Sequence, residues 1–260
     1  MQKLIYQVKL GNSKLYDTCC KSVRDYANKI GATYIRQTEP ILNIKPDPGN
    51  TNRSLECQMR EVPLPIFEKE NAFDYRDRFD QICVIDADVY IRPNAEYDIF
   101  EDFGTEHAFG AVVEREMPIT QIYMDKIKNY SRMQYGQWPD IFPVDFATGS
   151  EFMNMGVMIF NSKLLDSYLG TESAKEFLGR SDFKKFVDGV GPFKWSTDQT
   201  LLNWWIKDTG MSYKKMHWKY NGLYTANTKI NECQFVHFFL KDKLPNRGEN
   251  VDQLLKDIMS

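Results

Sequence analysis

Gln81-Ile82-Cys83-Val84-Ile85-Asp86-Ala87-Asp88-Val89-Tyr90-Ile91 is an apolar run broken by two carboxylates. Its first half has the composition of a central strand buried on both faces, as in parallel sheets. Residues two apart in an extended chain project to the same side, so Asp86 and Asp88 can face one point. In open α/β sheets, ligands bind beyond the carboxyl ends of such strands. Like charges at the end of a buried strand repel. A divalent cation relieves that repulsion, and oxygen ligands suit Mn²⁺ or Mg²⁺. An Asp-x-Asp is common, however, and two solvated turn residues have the same spelling.

Working outward, Leu4–Val8 reads as a first strand. Leu15, Tyr16, Cys19, Cys20, Val23, Ala27 and Ile30 then follow at helical spacing, with Asn12 or Ser13 as cap and Gly31 as stop. Ala32–Arg36 reads as a second strand, and this β-α-β opening predicts a largely parallel sheet flanked by helices. Residues 38–66 carry Pro40, Pro46, Pro48, Pro63 and Pro65 and read as irregular, with a helix from Ile66 to about Arg78. Residues 114–145 show no clean period and read as an excursion beside the site. Phe152–Phe160 is a further strand, and Leu164–Leu178 and Thr197–Lys207 are helices. Phe235–Leu240 is a last strand and Val251–Ile258 a closing helix.

The 260 residues suit one α/β domain, read as two halves of about 1–110 and about 111–260. A net charge of −3 argues against a nucleic-acid partner. Five cysteines without a CxxC pair predict neither zinc nor a disulfide framework. No apolar run approaches the roughly 18 residues of a membrane span. The polar start MQKLIYQVKL is a poor signal peptide, so the expectation is a reducing, cytoplasmic setting. P-loop, GxGxxG, HExxH and GxSxG motifs are absent. Fourteen Tyr and five Trp are mostly core by default, although Trp138, Trp195 and Tyr135 could stack on a sugar.

Four segments in order resemble glycosyltransferase family 8, the group that includes glycogenin and bacterial galactosyltransferases. They are Asp86-Ala87-Asp88; Phe152-Met-Asn154-Met-Gly156-Val; Asp198-Gln199-Thr-Leu-Leu-Asn203; and His237-Phe-Phe-Leu-Lys-Asp-Lys243, with Tyr220-Asn221 ahead of the last. The resemblance runs from about Leu4 to Lys243. It implies the GT-A type of fold, with a Rossmann-like mixed central sheet between helices. The implied activity is metal-dependent transfer of a hexose from a nucleotide sugar, UDP-glucose or UDP-galactose, to a carbohydrate, lipid-linked or protein acceptor. Residue by residue, Asp86, Asp88 and His237 would bind Mn²⁺ or Mg²⁺, with Ala87 between them at the donor. Lys243 would contact the diphosphate and Tyr16 would stack on the base. Lys69 is similar to a family lysine if one insertion is allowed. Glu151, Asn154 and Gly156 would line the donor sugar, Asp198 would hold its hydroxyls, and Gln199 would lie at the far face of the reacting carbon.

Each has a plainer reading as well. Tyr16 and His237 sit in apolar patterns and would serve as core, Gly156 permits close packing, and Asp198 suits a helix N-terminus. The chain departs from the family where Leu240 replaces a glycine after His-Phe-x. A glycine there allows close backbone approach to phosphate. Leu244-Pro245 likewise replaces Pro-Trp. Family 8 enzymes retain anomeric configuration, and Gln199 is a poor nucleophile, so the expected route is front-face rather than a double displacement. Two alternatives remain: a haloacid-dehalogenase-type phosphatase with Asp86 as nucleophile, and a catalytically inactive binding module of the same fold.

Overall fold

A computed structural model describes residues 1–259. The chain begins β1 (Lys3–Val8), α1 (Lys14–Lys29), β2 (Thr33–Gln37) and, inside the proline-rich segment, the short α2 (Leu55–Met59). A 3₁₀ run over Pro65–Tyr75 leads into β3 (Gln81–Ile85), β4 (Val89–Ile91), α3 (Ile99–Phe103) and β5 (Phe109–Val113). Then come α4 (Gln121–Tyr135), a small hairpin of β6 (Val144–Asp145) and β7 (Gly149–Ser150), and β8 (Met153–Asn161). Four helices follow: α5 (Ser162–Leu169), α6 (Ala174–Leu178), α7 (Lys184–Asp188) and α8 (Asp198–Asp208). The chain finishes with β9 (Tyr213–Lys215), β10 (Gly222–Leu223), β11 (Phe235–His237) and α9 (Val251–Met259).

The main sheet has the order β2-β1-β3-β8-β5-β9. Its pairs β1–β2, β1–β3 and β5–β9 are parallel, and β8 runs antiparallel between β3 and β5. Every residue of β3 is buried. Its alternation sends Ile82 and Val84 to one face, with Phe73, Phe177 and Trp205, and Cys83 and Ile85 to the other, with Val23, Tyr26 and Phe100. Helices thus cover both faces of a mixed sheet, as the GT-A expectation requires. The five cysteines are free and buried.

The apolar run from Gln81 is two strands, not one. Asp86–Asp88 is a turn at which the chain leaves the main sheet and enters a second, three-stranded sheet of order β10-β11-β4. Two helical expectations and one strand expectation also change. The segment after Ile66 is 3₁₀, the 164–178 stretch is two helices parted at Gly170, whose φ is 58°, and the last strand stops at His237. The excursion contains α4. Its inward stripe is Ile127, Ser131, Gln134 and Tyr135, so two polar residues hide the apolar period. Both are satisfied inside. Ser131 Oγ accepts from Ser150 N (3.0 Å), and Gln134 donates to Pro192 O (2.9 Å) and accepts from Ser196 and Thr200.

Candidate functional site

The Asp86–Asp88 turn is pinned from both sheets. Asp86 N donates to Gly156 O of β8 (2.8 Å), and Phe238 N, just past β11, donates to Asp88 O (2.9 Å). Gln7 Nε2 of β1 donates to Asp86 O (3.1 Å). Antiparallel pairing of β11 with β4 sets His237 opposite Val89, next to the turn. His237 Nε2 then lies 3.2 Å from Asp88 Oδ1 and 3.8 Å from Asp86 Oδ2. One ligand atom from each of Asp86, Asp88 and His237 falls within 4.8 Å of the others. Two carboxylates and an imidazole make a donor set suited to Mn²⁺ or Mg²⁺, and this geometry fits one cation.

Burial and neighbouring charges act on these groups in opposite directions. Burial, only partly offset by Lys69, pushes Asp86 up to about 6. Burial would raise Asp88 as well, but His237 beside it holds it below its ordinary value. Burial would lower His237, yet Asp88 holds it above the ordinary imidazole range. Lys69, on the 3₁₀ run before β3, reaches 2.7 Å from Asp86 Oδ1 and 2.8 Å from Asp198 Oδ2, and donates to Met155 O (3.0 Å). Against the effect of burial, Asp198 and Asp86 raise its pKa, so the ammonium stays charged. One cation therefore ties the Asp-x-Asp turn to the first turn of α8.

Asn154 and Gly156 lie on β8 below His237. A Cβ on Gly156 would come 2.3 Å from His237 Cε1 and 2.6 Å from Nδ1, closer than any real contact, so glycine is needed here for space. Gln199 Oε1 accepts from Met155 N (3.3 Å), which sets α8 against the same strand. These residues border a cleft of about 680 Å³. Tyr16 lines it beside the Asp-x-Asp turn, Asp198 and Gln199 lie on the α8 side, and Trp195 and Leu240 stand on its border.

The structure thus brings Tyr16, Lys69, Asp86, Asp88, Asn154, Gly156, Asp198, Gln199 and His237 to one cleft, with Ala87 in the turn between the aspartates. Two predicted site residues fall outside it. Glu151 lies on the main sheet's β9 side, held by Lys215 (2.7 Å), Tyr213 (2.9 Å) and Arg115 (3.1 Å). Working against burial, Lys215, Tyr213 and Lys207 keep its carboxyl down to about 2. Basic and phenolic neighbours satisfy it, and it is not among the residues that line the cleft. Lys243 is exposed in a 3₁₀ turn beyond the cleft lining. Leu240, where the resemblance leads one to expect glycine, is left-handed (φ 56°, ψ 62°) and adds a side chain at the cleft border. Of the suggested stacking residues, Tyr135 is fully buried and Trp138 stacks on Phe193 (4.3 Å apart for Tyr135–Phe142, 5.6 Å for Trp138–Phe193). Trp195 alone of the three is exposed, at 66%.

Sequence reasoning missed Glu114, Tyr123 and Asn221. Glu114 follows apolar β5 as Asp86 follows β3, and that shared position at a strand end was the available signal. Burial pushes its carboxyl up to about 7, and Asn154 Nδ2 donates to it (2.6 Å).

No family model matches the chain, and no curated protein does. Among solved structures, a glycosyltransferase involved in the glycosylation of the major capsid of PBCV-1 superposes with a TM-score of 0.53 at 12% identity, covering 98% of this chain and 100% of that one. The galactosyltransferase LgtC, in complex with donor and acceptor sugar analogs, gives a TM-score of 0.49 at 14% identity over 98% and 94% of the two chains. At such identities the likeness speaks for the fold, and the first match shows that this chain has a glycosyltransferase fold of the GT-A type.

Proposed function

We propose that this protein is a metal-dependent glycosyltransferase that moves a hexose from a nucleoside-diphosphate sugar, UDP-glucose or UDP-galactose, to a carbohydrate, lipid-linked or protein acceptor. The observation that carries the reading is the meeting of Asp86, Asp88 and His237 at the edge of a cleft that also holds Asp198 and Gln199. Asp86, Asp88 and His237 would hold Mn²⁺ or Mg²⁺, which supplies charge stabilisation for a departing diphosphate. Tyr16 offers an aromatic face for the base at one end of the cleft. Asp198, fixed by Lys69, is aimed to accept hydroxyl protons of the sugar, and the Gln199 amide lies alongside. Gln199 offers no carboxylate for a covalent intermediate, so the acceptor enters on the face that the diphosphate leaves, with retention. The phosphatase alternative loses its support with the fold, since the chain matches a glycosyltransferase throughout its length.

Calorimetry supplies the test. Asp88→Asn removes one ligand charge and is expected to abolish Mn²⁺-dependent UDP binding while leaving the unfolding transition in place. Unchanged binding would put the site elsewhere. Donor hydrolysis with and without Mn²⁺ separates an active enzyme from an inactive binding module. An NMR time course of the product should show the donor's anomeric configuration kept; net inversion rules out the front-face route.

A further inference from the structure

The hydrogen bonds behind His237 form a chain whose polarity is fixed at one end. Gly156 N–H is a backbone donor and cannot reverse, and it donates to Asn154 Oδ1 (2.9 Å). That identifies the Asn154 oxygen, so Asn154 Nδ2 is the group facing Glu114 Oε1 (2.6 Å). The same oxygen lies 2.7 Å from the Asn221 amide, which must present Nδ2 to it. Asn221 Oδ1 is thereby turned toward His237 Nδ1, at 2.9 Å, where it can only accept. His237 Nδ1 therefore carries the proton, and Nε2, the nitrogen facing Asp86 and Asp88, is the one left to bind a cation.

We propose that Asn221 is a positioning residue that imposes this metal-facing tautomer on His237, with Asn154 as its orienting partner. The inference rests on the proposed cation site and adds to it the residue that makes the imidazole a ligand. Burial makes the device effective. Asn221 is fully buried, and Glu114, His237 and Asn154 are 4%, 5% and 6% exposed, so water does not offer Nδ1 a replacement acceptor. Flipping Asn221 would set its Nδ2 against His237 Nδ1–H and its oxygen against Asn154 Oδ1, two buried repulsions at once. The space for this arrangement comes from Gly156, whose missing side chain admits the ring. Partners behind a metal-bound histidine typically change metal affinity by about 10–100-fold.

The experiment measures Mn²⁺ affinity of the full chain without nucleotide, by electron paramagnetic resonance of free Mn²⁺, beside thermal unfolding. Asn221→Leu keeps the volume and removes the acceptor; its Mn²⁺ affinity should fall about 10–100-fold. In Asn221→Leu the neutral His237 ring loses its Nδ1 acceptor, and nitrogen-15 NMR should show its proton no longer confined to Nδ1. Wild-type affinity in Asn221→Leu, or a neutral His237 ring that stays protonated on Nδ1 there, overturns the proposal while Asp88→Asn still reports on the cation site itself. A wild-type chain that binds no Mn²⁺ overturns the cation reading and this inference with it. Should Asn221→Leu not fold, the wild type still decides. Nitrogen-15 NMR of its three histidines, in alkaline buffer where the rings are neutral, should show His237 protonated on Nδ1. A proton on Nε2 would refute the assignment.

Discussion

Glu114 shows what burial does to one side chain in this cleft. Its carboxyl, 4% exposed, is pushed from 4.5 up to about 7 because burial strips water from the charged form, an effect that Asn154, His237 and Tyr123 offset only in part. A carboxyl raised in this way favours the folded state while protonated. The contribution is complete below about 4.5 and is lost as pH rises through about 7, to a total of about 3 kcal/mol. Glu114→Gln mimics the protonated acid and still accepts from Asn154. Its urea midpoint, compared with that of the wild type, should therefore gain stability as pH rises from about 4.5 to above 7. Parallel pH curves for the two proteins would contradict this. Leu240 makes the complementary point about backbone. It stands in the left-handed region that favours glycine, and its exposed side chain forms part of the cleft border.

At the scale of elements, the proline-rich segment turns out to be a brace. Arg53 Nη2 donates to Phe186 O and Ser196 O (both 2.8 Å), and its Nε donates to Val187 O (2.9 Å). Asp47 N and Thr51 also bond Asp188, and Asn52 accepts from Gly191 N. Together they hold the approach to α8, and hence Asp198. Arg53→Ala leaves three carbonyls without donors and should cost about 3 kcal/mol in chemical denaturation. Arg53→Lys, with a point charge in place of a fork, should recover little of it. Nothing in residues 38–64 advertises this role, because it is played by backbone carbonyls far along the chain. The same reason explains what was legible. Strands β1, β3 and β8 and helix α1 show their periods in apolar residues, and motifs at strand ends pointed to Asp86, Asp88 and His237, which the structure brings together. Helix α4 hides because Ser131 and Gln134 face inward, and Glu151, which the resemblance put at the donor sugar, is held by Lys215, Tyr213 and Arg115 outside the cleft lining. Asn221 appeared in a quoted motif, but its task depends on Asn154 and His237 arriving from other strands.

Across the whole molecule, the Asp86–Asp88 turn joins a six-stranded and a three-stranded sheet, with Asp86 N bonded to β8 and Asp88 O bonded to the segment after β11. The small sheet has short strands of two and three residues and little ladder of its own. Its attachment depends on this crossing, on His237 and on the packing of α1 and α9 beneath it. A ligand that draws Asp86, Asp88 and His237 together thus acts as a clasp between two cooperative units. Hydrogen exchange should report it: with Mn²⁺ and UDP, the amides of Asp86 and Phe238 should slow together, while edge-strand β2 stays unchanged. Slowing on one side of the turn alone would deny the clasp. If it closes as described, substrate occupancy sets how long the small sheet stays fastened. A cell short of nucleotide sugar would then hold this protein in a form with a looser seam, more open to proteases at the 222–259 end than elsewhere.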